Sequence, residues 1–293
     1  MRTILLSALL LAAHPPRPLQ THELQTAVDA EVARLAADPD TSLVMIAVVD
    51  PAGAVLALGG QRGATVDRTL PEQTRRDPGS VMKTFTIGAA LEAGLMTPAS
   101  TVAGEGGHWT FGGRTIDDAS PHQTLSVDDV MAFSSNVGTA KIFTRLGHER
   151  LEATLRAVGL PAPAMPDDES AVGVSFGADI TPTPLELARA YAAIASGRVF
   201  PSKHAEVMTL LRHTVERKDG TGHGARIDGV SVAGKTGTYP QDDGGRYGDF
   251  VGIVPAEAPR FIILVGVESR AAGYTGGTVA APAFARLGAK LLR

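Results

Sequence analysis

The sequence predicts an α+β fold, in which an antiparallel sheet flanked by helices from the two chain ends carries an inserted all-helical lobe. Two observations predict this arrangement. Strand-like apolar runs lie near both ends of the 293-residue chain, whereas helical periodicity dominates its middle. We expect the sheet lobe at about residues 21–65 and 226–293, the helical lobe at about residues 66–225, and a cleft between them.

The composition is that of an ordinary globular protein and narrows the classes of partner. Hydrophobic residues make up 44% of the chain, charged residues 20%, and the net charge is -4. Because Lys and Arg form no concentrated run, we expect no nucleic acid and no anionic membrane as partner. The absence of cysteine excludes disulfides and thiolate catalysis. The histidines show no metal-ligand spacing, so we expect neither a metal nor a cofactor.

Residues 1–20 are predicted to be a signal peptide followed by a linker. After Arg2, an apolar run reaches Ala13; at about ten residues it suits the hydrophobic region of a signal peptide and is too short to span a bilayer. A Pro-rich stretch, residues 14–19, follows. We therefore expect an exported protein, periplasmic or extracytoplasmic, without a stable membrane span. An apolar N-terminal strand or a short anchor is the alternative.

The first part of the sheet lobe is predicted to be a helix and a hairpin. Apolar residues recur at helical spacing over residues 24–37. The almost unbroken apolar run Ser42–Val49 and the following AVLALGG stretch, joined by a turn at Asp50–Gly53, predict two strands covered on both faces. The Gly-rich stretch Gly104–Gly113 fits no nucleotide-binding fingerprint and predicts a loop or hairpin.

The remaining elements follow from periodicity, capping residues and turns. Ser126, with Asp129 three residues on, predicts a capped helix that ends near Phe133. Further helices are predicted at residues 137–146, 150–158, 184–195 and 205–217, and strands at residues 230–238, 250–255 and 261–268. A helix over residues 278–292 closes the chain, with Pro282 tolerated near its first turn.

Ser80 and Lys83 form the first candidate catalytic pair. The turn Asp77–Gly79 precedes an apolar run at helical spacing, so Ser80 is expected in the first turn of a helix. Residues three apart on a helix are neighbours, which brings the Lys83 amine within reach of the Ser80 hydroxyl. The helix N-terminus supplies N–H groups where an oxyanion would form. Taken alone, the Ser-x-x-Lys pattern is also typical of an ordinary capped helix.

Two downstream stretches supply partners for this pair. Ser134 and Asn136 lie in FSSNVG, at a predicted junction between two helices. The Lys-Thr-Gly-Thr sequence at residues 235–238 lies on a predicted strand. A Ser-x-x-Lys motif followed by a Ser-x-Asn type triplet and by Lys-Thr-Gly, in this order, is the signature of serine β-lactamases and penicillin-binding proteins.

From about Ser42 to its end, the sequence resembles the transpeptidase domain of the class B penicillin-binding proteins. Besides the three motifs, the stretches GGRTIDD, TPLELARAYAAIA, DGTGHGA, FVGIVP and GGTVAAPAF are similar to that family. The resemblance implies the β-lactamase/transpeptidase fold and a penicillin-binding transpeptidase domain over residues 21–293. It implies D-Ala-D-Ala peptidoglycan stem peptides as substrates and β-lactam antibiotics as covalent inhibitors.

The resemblance also implies a role for each candidate residue. Ser80 would form an acyl-enzyme, and Lys83, kept neutral by burial and by Lys235, would accept its proton. Ser134 would relay a proton to the leaving amine, while Asn136 would hold the substrate amide and the Lys83 amine.

The strand residues complete the implied site. Lys235, Thr236 and Thr238 would bind the terminal carboxylate of the substrate. Gly237 would leave room for the extended backbone of the substrate beside the strand edge. The N–H groups of Ser80 and Thr238 would form the oxyanion hole.

Three other functions remain open on the sequence. A serine β-lactamase shares the acylation step but must hydrolyse the acyl-enzyme quickly. Glu169 follows Asn136 at a suitable spacing, yet ESAVG lacks the ExxLN pattern of class A enzymes, and PDDES resembles a loop of the transpeptidase family. A D,D-carboxypeptidase uses the same residues with water as acceptor. A non-catalytic penicillin sensor or cell-wall scaffold, a different class, predicts a damaged catalytic set, which this chain does not show.

Overall fold

Ten α-helices and ten β-strands occupy residues 20–242 and 244–293, the part of the chain that the computed structural model describes. The helices are α1 (Thr21–Ala36), α2 (Leu70–Gln73), α3 (Lys83–Glu92), α4 (Val127–Phe133), α5 (Asn136–Leu146), α6 (His148–Ala157), α7 (Asp168–Phe176), α8 (Pro184–Ala195), α9 (His204–Glu216) and α10 (Ala281–Leu291). The strands are β1 (Thr41–Val49), β2 (Val55–Arg62), β3 (Thr65–Val66), β4 (Thr101–Ala103), β5 (His108–Phe111), β6 (Arg114–Asp117), β7 (Thr124–Ser126), β8 (Ala233–Pro240), β9 (Arg246–Val254) and β10 (Phe261–Ser269).

The main sheet has six strands in the order β3-β2-β1-β10-β9-β8, and all neighbours run antiparallel. Strands from the two ends of the chain meet at its centre, where β1 pairs with β10 through partners such as Val44 and Val267. Both strands are almost entirely buried because both faces of the sheet are covered. The predicted hairpin and the predicted sheet built from both chain ends are confirmed.

Helices cover both faces of this sheet. On one face α1 and α10 pack against the strands, and the buried rings of Phe250 and Phe284 lie 4.9 Å apart. The inserted lobe lies on the other face, and its helix α3 is buried along nearly its whole length. Tyr191 of α8 connects the layers, because its hydroxyl donates to the carbonyl oxygen of Val81 at 3.1 Å and lies 2.7 Å from Thr84 Oγ1.

The inserted lobe contains two short two-stranded sheets, β4–β7 and β5–β6, so it is not all-helical as predicted. The β5–β6 hairpin turns at Gly112 and Gly113, which have φ values of +57° and +72°. Glycine adopts this conformation without steric cost, which favours such tight turns. The prediction of a loop or hairpin in the Gly-rich stretch is thus confirmed as a hairpin.

Most predicted helices and strands are present, with small shifts at their ends. α8 has the predicted bounds because Pro184 starts it and the Thr183 hydroxyl accepts from the N–H of Glu186 at 3.2 Å. β9 begins at Arg246, earlier than predicted, since its first polar residues pair with β8. The PDDES stretch, expected to be a loop, instead starts α7, which the carboxylate of Asp167 caps.

The predicted signal peptide and the Pro-rich linker fall on residues 1–19, which lie outside the described residues. Among the helices of the described ranges, none combines the length and the apolar character that a bilayer crossing needs. The same ranges contain no group of three or more His, Cys, Asp or Glu side chains placed to hold a metal ion.

Candidate active site

Ser80 lies in a tight turn that leads into α3. Gly79–Met82 form a 3-10 turn and α3 begins at Lys83, so Ser80 comes just before the α-helix rather than inside its first turn. Gly79 has a φ of +52°, and a Cβ atom there would lie 2.9 Å from the carbonyl oxygen of Thr238. The missing side chain therefore lets the Ser80 turn, residues 77–80, pack directly against β8.

Lys83 is fully buried at the start of α3 and reaches the junction between α4 and α5. Its Nζ donates to the carbonyl oxygen of Ser134 and lies 3.2 Å from the Ser134 hydroxyl oxygen. Within residues 20–242 and 244–293, the Ser80 hydroxyl makes no hydrogen bond to Lys83 or to any other group. The structure thus groups Lys83 with Ser134 and leaves the Ser80 hydroxyl available.

The α4–α5 junction presents Ser134 to both lysines. Ser134 ends α4 in the left-handed conformation, with φ 63° and ψ 41°, and Ser135 caps α5 by accepting from the N–H of Gly138 at 2.7 Å. The Ser134 hydroxyl oxygen lies 3.2 Å from Lys83 Nζ and 2.9 Å from Lys235 Nζ. This conformation is costly for a non-glycine residue, by about 1–3 kcal/mol, and the surrounding contacts hold it.

Asn136 is the first residue of α5, as the predicted helix junction requires. Its Nδ2 donates to the carbonyl oxygen of Asp117 at 2.7 Å. The implied hydrogen bond between Asn136 and Lys83 does not occur among the described contacts. Asn136 does line the groove beside Ser80, where its amide can meet a ligand.

Sequence reasoning missed Asp118, which holds this junction together. Its carboxylate accepts from the Ser135 hydroxyl at 2.6 Å and from the N–H groups of Asn136 and Val137 at 2.5 and 3.0 Å. An anion at a helix N-terminus is stabilised by the unpaired N–H groups and by the helix dipole. The acidic pair in GGRTIDD was visible, but local sequence does not indicate which distant helix such a pair will cap.

β8 lays residues 235–238 along one edge of the main sheet, beside the Ser80 turn. Lys235 is fully buried, and its Nζ also donates to the carbonyl oxygen of Thr236 at 3.1 Å. The Thr238 hydroxyl donates to the carbonyl oxygen of Gly237 at 2.8 Å. The structure therefore brings the predicted strand residues next to Ser80.

Gly237 allows β8 to pack closely against β9 and the Ser80 turn. A Cβ atom at this position would lie 2.1 Å from Asp249 Oδ1 and 2.2 Å from the carbonyl oxygen of Pro78. No side chain fits between these atoms. The resemblance implied room for a substrate at Gly237, whereas here β9 and the Ser80 turn occupy the space that a side chain would need.

The two buried lysines have strongly lowered pKa values. Burial, followed by the positive charge of Lys235, lowers the pKa of Lys83 well below its ordinary range, against the opposing effect of Asp118. Burial lowers the pKa of Lys235 to about 7, against the attraction of the Asp249 carboxylate. The direction of the Lys83 shift is the one that a proton-accepting amine at this position needs.

A groove of about 550 Å³ opens over these residues, with both lysines beneath its floor. The predicted residues that line it are Ser80, Ser134, Asn136, Thr236, Gly237 and Thr238. Residues that sequence reasoning did not assign also line it, among them Thr221, His223, Arg246, Thr275 and Thr278. Two of these, Thr221 and His223, lie in DGTGHGA, one of the stretches that resemble the family.

The groove wall has no acidic side chain within the described residues. Glu169, the candidate base under the hypothesis that the chain is a β-lactamase, is exposed in the first turn of α7. It packs there against Gly112 of the β5–β6 hairpin. The position of Glu169 therefore gives no support to a deacylating role.

Comparison with known proteins identifies relatives over most of the chain. Residues 44–288 match the family described as penicillin binding protein transpeptidase domain. The chain is 30% identical over 269 residues to the probable peptidoglycan D,D-transpeptidase PbpC of Pseudomonas aeruginosa, covering 78% of this chain and 47% of that protein. It is 29% identical over 266 residues to the probable peptidoglycan D,D-transpeptidase PenA of Neisseria flavescens, covering 77% and 66%. The chain thus spans about half to two thirds of the length of these relatives.

A solved structure shows the same fold. The transpeptidase domain of penicillin-binding protein 3 from Burkholderia pseudomallei superposes with a TM-score of 0.80 at 26% identity, covering 91% of this chain and 92% of that one. The matched family region contains all three motif segments: at the turn that leads into α3, at the α4–α5 junction and on β8. The chain therefore belongs to the family of penicillin-binding protein transpeptidase domains, with the class B features that its sequence predicts.

Proposed function

We propose that this chain is a peptidoglycan D,D-transpeptidase, a serine acyltransferase that acts on D-Ala-D-Ala stem peptides through an acyl-enzyme on Ser80. One observation carries the proposal: the Ser134 hydroxyl lies between the amines of two buried lysines, and it lines the same groove as Ser80, whose hydroxyl is free of hydrogen bonds in the described chain. The names of the matched relatives, both probable D,D-transpeptidases, support the same chemistry.

Acylation begins when Ser80 Oγ attacks the carbonyl carbon of the penultimate D-Ala. The neutral amine of Lys83 accepts the proton of the Ser80 hydroxyl. Ser134 then passes a proton to the nitrogen of the terminal D-Ala, and Lys83 returns the proton it took to Ser134. The peptide bond between the two alanines breaks, free D-Ala leaves, and the remaining stem peptide is esterified to Ser80.

The groove supplies charge and hydrogen bonds for this step. A cationic Lys235, together with the hydroxyls of Thr236 and Thr238, binds the terminal carboxylate. The N–H groups of Ser80 and Thr238 stabilise the oxyanion, an interaction typically worth about 3–4 kcal/mol for each donor removed. Asn136 holds the substrate amide, and the edge of β8 pairs with the extended peptide.

Transfer of the acyl group to an amine of a second stem peptide completes the reaction and forms a crosslink. Rapid hydrolysis by a glutamate base, the role considered for Glu169, would require a carboxylate in the groove, and among the described residues none lines it. This supports a long-lived acyl-enzyme rather than a β-lactamase. It also supports β-lactam antibiotics as covalent inhibitors that esterify Ser80.

The cellular compartment of the substrate indicates where the protein acts. Residues 21–293 form the proposed catalytic domain, and the signal peptide predicted within residues 1–20 would direct its export. Peptidoglycan stem peptides lie outside the cytoplasm, so the proposed enzyme is periplasmic or extracytoplasmic.

Intact-mass measurement over time with benzylpenicillin tests the proposal. We expect an adduct that persists for many minutes in the wild type and in Ser170→Ala, which alters an exposed serine of α7, but no adduct in Ser80→Ala. An adduct that disappears while the drug is consumed would identify a β-lactamase. No adduct at all would refute the enzymatic function.

A second assay separates the two possible acceptors. The protein is incubated with a D-Ala-D-Ala stem peptide that carries a free side-chain amine, and D-Ala release and dimer formation are both measured. We expect crosslinked dimer together with D-Ala. Release of D-Ala without dimer would instead identify a D,D-carboxypeptidase.

A further inference from the structure

One buried carboxyl group at the site has no part in the chemistry described above. Asp249 lies in the middle of β9 and is fully buried. Neither of its carboxyl oxygens forms a hydrogen bond of normal geometry within the described residues, although the N–H groups of Gly237 and Asp249 lie near enough to lower its pKa. Burial of an unpaired carboxylate is costly, so a carboxyl of this kind beside a reactive site is a candidate for a functional role.

The sheet register places Asp249 on β9, directly beside β8, the strand that carries residues 235–238. It pairs with Gly237 of β8 on one side and with Gly266 of β10 on the other. Its Oδ1 and the carbonyl oxygen of Pro78 both crowd the point where a Cβ of Gly237 would lie. The carboxyl group is therefore enclosed between β8, β9 and the Ser80 turn.

Lys235 lies on the same face of the sheet, two residues before Gly237 on β8. No ion pair within 4.0 Å joins its amine to Asp249 among the described contacts, so each group acts on the other as a charge and not through contact. The Lys235 charge lowers the pKa of Asp249, and the Asp249 charge raises that of Lys235. The positive charge of Lys235 in turn lowers the pKa of Lys83, which faces it from α3, because two nearby cations repel each other.

The other titratable groups around Asp249 are phenols that stay neutral. They are Tyr191 on α8, Tyr247 on β9 and Tyr274 in the segment before α10. Burial and the Asp249 charge raise the pKa of each phenol above its ordinary value. When it is ionised, Asp249 is the group whose attraction favours the cationic form of Lys235.

We propose that Asp249 is a positioning residue that keeps Lys235 cationic and so maintains both the hydrogen bond to Ser134 and the carboxylate-binding end of the groove. This inference rests on the proposed acyl-transfer function. The Lys235 ammonium donates to Ser134 Oγ at 2.9 Å and presents positive charge to the substrate carboxylate. A deprotonated Lys235 can no longer attract that carboxylate. Asp249 acts on Lys235 from the neighbouring strand β9 and does not line the groove that would hold the substrate.

Burial and coupling explain why the pair is sensitive to pH. Burial raises the pKa of Asp249 well above its ordinary range, and the charge of Lys235 and nearby N–H groups oppose this effect. Each charge of the pair therefore depends on the other, and their protons are lost in coupled steps. Removal of Asp249 should lower the pH at which Lys235 loses its proton.

The test is the pH dependence of the second-order rate constant for acylation by benzylpenicillin, which reports ionisations of the free enzyme. In the wild type we expect an alkaline limb near pH 7, where Lys235 loses its proton. Asp249→Asn removes the charge and nearly keeps the shape. We expect it to move this limb to lower pH by about one unit, since a nearby opposite charge typically shifts a pKa by about 1–3 units.

Two further variants separate charge from packing. Asp249→Ser is uncharged but smaller, so the inference requires the same direction and size of shift as in Asp249→Asn. Glu31→Gln removes another buried carboxylate, which binds Arg34 and Arg286 on the face of the sheet covered by α1 and α10. This control should leave the alkaline limb in place. Thermal unfolding followed by circular dichroism checks that each variant is folded.

The outcomes separate this inference from the proposed function. An unchanged alkaline limb in the Asp249 variants overturns the inference. A rate that falls equally at every pH overturns it as well, because that result indicates a packing role only. If the wild type forms no adduct with benzylpenicillin, the proposed acyl transfer fails instead.

Discussion

The amines of Lys83 and Lys235 converge on a single oxygen, the hydroxyl of Ser134, at 3.2 and 2.9 Å. Both lysines are fully buried, so two positive charges at this distance would be costly. The charge of Lys235 lowers the pKa of Lys83, whereas Asp249 supports the charge of Lys235. The site therefore disfavours two cations around one hydroxyl.

Lys83→Met should slow acylation by benzylpenicillin by a factor of about 10²–10⁴, the usual contribution of a positioned base. The sign of the pH effect follows from the lowered pKa of Lys83. In the wild type the rate should fall as pH drops through that lowered pKa, because the protonated amine cannot accept the Ser80 proton. Rate measurements across pH should show this acidic limb in the wild type and its loss in Lys83→Met.

Lys141→Met is the control for this prediction. The Lys141 amine pairs with Glu105 at 2.9 Å and lies over the ring of Trp109, so it takes no part in the Ser134 contacts. We expect wild-type rates for this variant at every pH. An acidic limb that persists unchanged in Lys83→Met would contradict the assignment of Lys83 as the base.

Asp118→Asn should destabilise the α4–α5 junction by about 1.5–3 kcal/mol, the range for a hydrogen bond to a charged group. Its carboxylate accepts three hydrogen bonds there, and an amide cannot accept all of them. Urea unfolding and acylation rates measure the effect. Asp117→Asn is the matched control: its carboxylate is exposed and contacts only His108, so it should cost less than about 0.5 kcal/mol. Equal effects of the two variants would refute this role of Asp118.

Gly237→Ala should lower the free energy of unfolding by about 1–3 kcal/mol, because its Cβ would overlap Asp249 Oδ1 and the carbonyl oxygen of Pro78. Relief of the overlap moves the Ser80 turn away from β8, so acylation should slow as well. Gly113→Ala, in open space at φ +72°, controls for backbone strain alone and should leave acylation unchanged. Wild-type acylation by Gly237→Ala would show that the turn tolerates this displacement.

Arg246→Gln should weaken acylation by benzylpenicillin about two- to fivefold at low salt, consistent with the roughly 0.2–1 kcal/mol of an exposed ion pair. Arg246 lines the groove at the start of β9 and forms no ion pair with another described residue. The difference from wild type should shrink as salt is added, because exposed charges are screened. Arg260→Gln, beside the ring of Phe261, is the control and should have no effect. A salt-independent loss in Arg246→Gln would point to a steric cause.

Local features of this fold could be predicted from the sequence because they depend on residues a few positions apart. The bounds of α8 follow from Thr183 and Pro184, and the start of α4 follows from the Ser126 cap. The cap of α7 at Asp167 is also a local feature, but an acidic stretch is equally typical of a loop, so this helix was not predicted. Periodicity identified only the longer helices. The small β4–β7 sheet was missed because three-residue strands carry almost no alternation pattern.

The order of amino acids was sufficient to identify the reactive groups, because Ser80 and Lys83, the Ser134 junction and the strand motif at residues 235–238 are each recognisable from a few neighbouring positions. The folded chain was needed to show that Lys83 contacts Ser134, that Asp118 holds the α4–α5 junction, and that Asp249 pairs with Gly237. Caps, turns and helical spacing arise from contacts within about four residues. Sheet register, burial and pKa values arise from segments far apart in the chain, so only their packing together establishes them.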